Sequence, residues 1–225
     1  LYPHGGTRTK AIVAVMVTLL LFTMLSIAFN AVYVVAGPKM IRVPQDYPTI
    51  QEAINWASPR DTIWVAAGTY HENLVVEKTV SILGEDRSVT VIDGGGSETK
   101  DVVHIRADNV SISGFTIQNG FHGVQLLWSK RCGIVNNTIT SNRHGMTLMG
   151  SGGNILRHND LRGNAYNFGV HGWSRPDFVN DIDTSNTVDG KPIYYWVNQH
   201  DKEIPTDAGY VAIIKSTNIA VRDLK

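Results

Sequence analysis

The chain of 225 residues has a single cysteine, Cys132, so no internal disulfide can brace it. It also lacks net charge, with 20 basic against 20 acidic residues and no Lys/Arg-rich stripe, which leaves nucleic acid without an electrostatic footprint to hold. Prolines number only 8 and aromatics 8% of the chain, which argues against a Pro-rich linker protein. What is abundant is glycine, 21 residues, together with frequent Asn and Thr and 43% hydrophobic residues. That mixture suits many short strands joined by tight turns.

Charge is absent altogether from Ala11 to Gly37, directly after Arg8 and Lys10. About 20 apolar residues suffice to cross a bilayer, so residues 1–37 read as a transmembrane anchor or a signal peptide. Basic residues on its N-terminal side hold that end in the cytoplasm and deliver the remainder outside. The expected location is extracytoplasmic, membrane-anchored or secreted, at a cell surface or in a periplasm.

The next feature is a repeat. "DVVHIRADNVSISGFTIQNGFH", "GVQLLWSKRCGIVNNTITSNRH" and "GMTLMGSGGNILRHNDLRGNAY" follow one another at 22 residues, over 101–166. Their columns agree at Ile112, Ile134 and Leu156, at Ile117, Ile139 and Leu161, and at Val124, Met146 and Phe168. The opening strand of the first block needs a one-residue shift, so that Val103 matches Val124. A fixed period with two-residue alternation inside it predicts a solenoid of parallel coils stacked about 4.8 Å apart. Asn137 and Asn159 fit turns, where a side-chain amide can bond its neighbour one coil away. Residues 61–96 read as less regular opening coils. Before them, Thr49 to Glu52 is a capping box, with Ile50, Ala53, Ile54 and Ala57 on one helical face, predicting a short helix that covers the solenoid end within 38–60. The fold expected is all-β, a right-handed parallel β-helix over 61–225 that continues past Lys225.

These motifs carry a resemblance. "VPQDYPTIQEAINWASPRDTIWVAAGTYHENLVV" (43–76) is similar to the opening shared by parallel β-helix proteins, pectin methylesterases included. The coils and "NDIDTSNTVDGKPIYYW" (180–196) resemble more narrowly the NosD-type family, periplasmic copper-binding or metalloenzyme-maturation proteins with a carbohydrate-binding and sugar-hydrolase type of β-helix. Similar domains are common in archaeal surface proteins. The resemblance implies copper handling as one role and polysaccharide recognition as another.

The residues themselves weigh these roles differently. The regular coils hold only three carboxylates, Asp101, Asp108 and Asp160, and no two share a column, so no catalytic residue is assigned and a binding or scaffolding module is the leading expectation. A lyase or esterase with its site outside this chain is the alternative. For copper, the candidates are His122 and His144, one period apart, with Met146 read as core. Asp177, Asp181, Asp183, Asp189, Asp201, Glu203 and Asp207 supply oxygen ligands that could suit calcium, at spacings that match no calcium loop. For glycans, Trp128, Trp173 and Tyr195 offer flat aromatic faces. Asn109 and Asn136 head glycosylation sequons. The period breaks at about 173–207, where Asp189-Gly190 predicts a hairpin folded out from a coil, with Tyr194 or Trp196 packed inward and Tyr195 free for a ligand.

Overall fold

The computed structural model describes Met16 and residues 37–224, and residues 38–225 form one compact unit. The apolar segment 11–37, read above as an anchor or signal, lies outside the described residues apart from Met16 and Gly37. Among the described residues no helix is long and apolar enough to cross a membrane.

Short strands return the coils up to Tyr166–His171 to the same three parallel sheets, and His200–Glu203 with Thr217–Ala220 forms a separate two-stranded one. The first sheet stacks seven strands, from Met40–Val43 through Ser111–Ser113, Gly133–Val135 and Ile155–Arg157 to Asp181–Ile182. The second runs from Gly68–His71 through Thr116–Gln118, Thr138–Thr140 and Asp160–Arg162 to Thr187–Val188. The third holds Leu74–Val76, Val103–Ile105, His122–Leu127, His144–Met149 and Tyr166–His171. Register follows the anticipated columns: Ile112, Ile134 and Leu156 pair in the first sheet, Ile117, Ile139 and Leu161 in the second, and Val103, Val124, Met146 and Phe168 in the third. Most of these side chains are fully buried, and each aliphatic one contributes about 2 kcal/mol of apolar burial. β-branched Ile and Val suit this role, because both ends of the side chain meet like neighbours one coil away.

The corners hold the register. Asn136, Ser141 and His158 adopt left-handed backbone, with φ of 55°, 58° and 55°. The residue after each carries a buried amide. Asn137 N–H donates to Asn159 Oδ1 at 3.2 Å, and Asn159 N–H to Asn186 Oδ1 at 3.2 Å. A parallel ladder runs from Asn142 to Asn164 Oδ1 at 2.9 Å. The work is thus divided: one residue bends the chain and the next asparagine ties it to the neighbouring coil.

At the N-terminal end the helix Ile50–Trp56 covers the core with Ile50, Ala53 and Ile54 buried. Thr49 Oγ1 accepts from Glu52 N–H at 3.2 Å. Glu72, from the first coil, accepts from Ile50 and Gln51 N–H at 2.9 and 2.8 Å, so a carboxylate meets the helix's open amides.

Beyond Tyr166–His171 the period changes. Asp181–Ile182 and Thr187–Val188 rejoin the first and second sheets, so 173–207 is not one uninterrupted insertion. The hairpin turn at Asp189-Gly190 is real, with φ of 48° and 78° and Thr187 opposite Pro192. The strand after it, Lys191–Val197, does not fold outward. Ile193 is fully buried and Tyr195 is 6% exposed, both within the core, and Tyr195 Oη donates to Phe178 O at 2.6 Å. The expected facing is therefore reversed: Tyr194 and Trp196 are the half-exposed pair. Alternation along the strand was right and its phase was not, because the hairpin sets which side meets the core. Tyr210–Ile214 then stacks parallel on this strand, 17 residues on.

Candidate functional site

Two side-chain clusters stand on the regular coils. The first lies where the third sheet turns toward the first. Trp128 follows the strand His122–Leu127, is 63% exposed and has φ 51°. One coil further on its place is taken by Gly150, with φ 60°. A β-carbon on Gly150 would lie 2.3 Å from Trp128 Cδ1 and 3.1 Å from Trp173 Cζ3. Both indoles thus close over the bare glycine backbone, their centroids 6.2 Å apart and their planes at 41°. Trp173, 72% exposed, is seated by Asp177, whose Oδ2 accepts from Trp173 and Ser174 N–H at 2.9 Å each. Those bonds hold the Asp177 carboxyl below its ordinary range. The turn beneath is tied by Ser129 N–H donating to Ser151 Oγ at 3.0 Å. Sequence reading named both tryptophans, and the structure brings them together.

The second cluster is a column of side chains at the start of the third sheet. His122 pairs in register with His144, and His144 with Tyr166. The histidine rings lie 4.8 Å apart and tilted by 34°, and His144 stacks on Tyr166 at 5.0 Å. Phe121 sets its edge against His122 at 4.7 Å, and Arg143 lies over the Phe121 ring at 5.4 Å. Beneath them Asp101 receives Nδ1 of both His104, at 2.6 Å, and His122, at 2.7 Å, one on each oxygen. Burial pushes the Asp101 carboxyl up, but the bonds and charge of the two imidazoles outweigh it and bring it down to about 2. Burial, then the neighbouring His122, Arg143 and His171, hold His144 below its ordinary value. His104 also faces a groove of about 520 Å³ lined by Asn73, Lys100 and Arg106. Sequence reading missed Asp101 here. The signal was present, since the one-residue shift that aligns Val103 with Val124 also aligns Asp101 with His122.

The His122 and His144 rings sit 4.8 Å apart and are tilted by 34°, Met146 is fully buried in the core, and among the described residues no three His, Cys, Asp or Glu side chains are grouped to hold a metal ion. The acidic residues thought of for calcium are dispersed. Asp181 and Asp183 hold Arg157 at 2.6 and 3.0 Å, Asp189 accepts from Gly163 N–H, Asp201 from Asn218, and Asp207 from the Tyr194 hydroxyl. Cys132 is buried and its thiol is pushed up to about 11, mainly by burial, as a small core side chain would be. Of the sequon residues, Asn136 is exposed at its turn, while Asn109 Oδ1 accepts from Arg131 Nε at 3.0 Å.

Residues 54–201, about two thirds of the chain, match the family model described as periplasmic copper-binding protein (NosD). The chain belongs to that family. A cell surface glycoprotein of Methanothermus fervidus is 33% identical over 124 residues, covering 54% of this chain and 20% of that protein. The chain thus spans about a fifth of this relative. Among solved structures, an alginate lyase from a Paenibacillus species aligns with a TM-score of 0.49 at 19% identity, over 55% of this chain and 45% of the lyase. The pectin methylesterase PemA from Erwinia chrysanthemi aligns with a TM-score of 0.44 at 12% identity, over 84% and 90% of the two chains.

Proposed function

We propose that this chain is an extracytoplasmic β-helix that binds carbohydrate at a cell surface, acting as a recognition or scaffolding module rather than as a catalyst. One observation carries the reading: two indoles, 63% and 72% exposed, are held 6.2 Å apart and tilted by 41° on a solenoid corner. Exposed aromatic faces on a pre-formed frame suit the C–H faces of sugar rings, because stacking costs little ordering. The family's periplasmic description and the relative's name as a cell surface glycoprotein support the location. The apolar stretch 11–37 is the segment that would deliver the coils across the membrane.

The test is affinity electrophoresis of the full chain through gels holding a broad panel of soluble polysaccharides. Retardation by at least one of them is expected. Unchanged mobility across the whole panel would end the carbohydrate reading.

A further inference from the structure

The tryptophan corner is built in a way that narrows its ligand. Trp128 spends an indole where the fold prefers none. Left-handed backbone is unfavourable for a bulky side chain, and the residue at the same turn one coil later is Gly150. With 63% of its surface in water, Trp128 returns little burial for that strain. A residue kept for stability would be glycine here too.

Gly150 supplies the second constraint. Its missing β-carbon is what lets Trp128 and Trp173 approach across the intervening coil, so the aromatic line runs along the stacking direction of the solenoid. The third constraint is the 41° between the ring planes at 6.2 Å. Two platforms at that angle match two successive rings of a chain that twists from unit to unit, and mismatch a flat ribbon. The fourth is charge. Arg131, beside the turn, is taken up by Asp108 at 2.8 Å, and the Asp177 carboxylate, occupied by the Trp173 and Ser174 amides, also feels the exposed Lys130, so the charges around the turn offset one another.

We infer that Trp128 and Trp173 form a subsite for a single, uncharged polysaccharide chain that lies along the solenoid axis, stacking two consecutive twisted pyranose units on the two indoles. This rests on the carbohydrate-binding reading and goes further in naming the subsite, the direction of the chain and its chemical class.

The test compares the full chain with Trp128→Gly, Trp173→Ala and Gly150→Ala, using soluble β-1,3-glucan as a twisted neutral probe, microcrystalline cellulose as a flat one and alginate as an anionic one. Wild type should hold the β-1,3-glucan in preference to the other two. Each tryptophan variant should bind about tenfold more weakly or worse. Trp128→Gly should melt no lower than wild type, since it relieves backbone strain while removing the ligand platform. Gly150→Ala should weaken binding with both indoles still present. Glucan binding that survives both tryptophan substitutions overturns the subsite and leaves the carbohydrate reading standing. Stronger binding to cellulose or alginate overturns the chemical class. A change of sedimentation in Trp128→Gly would assign the indoles to a contact between copies of the chain and overturn the inference as well. Failure of the entire polysaccharide panel would remove the carbohydrate reading and this inference with it.

Discussion

The coils between Asp101 and Tyr166 and the strands after Gly190 use the same parallel pairing and differ in almost everything else. In the first region each coil takes 22 residues, presents a fully buried aliphatic to each sheet and closes its corners with buried amides. In the second the offset falls to 17 residues, Ile193 and Tyr195 are buried, and Tyr210, Ala212 and Ile214 remain half-exposed. The corner tie there is a hydroxyl, Gln199 N–H donating to Ser216 Oγ at 2.9 Å. Parallel strand pairing is thus common to both regions, and what sets the regular coils apart is their interior columns and their corner ladders of buried amides.

The sharpest way to break this contrast is to remove the same side chain from both regions. Ile134→Ala, in a fully buried column, should cost about 4 kcal/mol in urea unfolding, whereas Ile214→Ala, half-buried against the core, should cost about 2 kcal/mol. Equal losses would refute the picture of a strong and a weak region. Next in size are the corners. Asn159→Ala strips the acceptor from Asn137 and leaves buried amides unpaired, for about 3 kcal/mol; Ser216→Ala, which removes the acceptor at a half-buried corner, should cost about 1 kcal/mol. The third lever is pH. Asp101 is lowered in the fold to about 2 from 3.8, so its contribution of about 2 kcal/mol is full above about pH 4 and fades as the pH falls toward 2. His144 is lowered too, so the fold favours its neutral ring, and stability declines as the pH drops below 6.5. Hydrogen exchange should show acid loosening Val103–Ile105 and His122–Leu127 more than Tyr210–Ile214, and Asp101→Asn should flatten the lower part of that profile.

Much of the strong region was legible in the sequence, and the reason is physical. A column of identical pairings forces the same residue type to recur at the coil length, so Ile112, Ile134 and Leu156 announce their own register. The cap was legible for a similar reason, since Thr49, Glu52 and the apolar face at Ile50, Ala53 and Ile54 are local signals. Tyr195 was misplaced because alternation gives a period without a phase. The phase comes from the turn at Asp189-Gly190 and from Phe178, a partner 17 residues away that no local pattern reveals. Asp101 shares no column with another carboxylate, and its partners are the histidines His104 and His122. The meeting of Trp128 and Trp173 depends on Gly150, a residue conspicuous only for what it lacks.

The asparagine ladder has a mechanical consequence. Backbone hydrogen bonds in this fold run along the stacking axis, so tension applied at the chain ends peels coils one at a time rather than shearing them together. Freeing the coil that holds Asn159 means parting its strands and its amide rungs in a single event, after which roughly 75 Å of slack chain is released. Pulled from its two ends, the molecule would lengthen in discrete steps whose spacing is one coil.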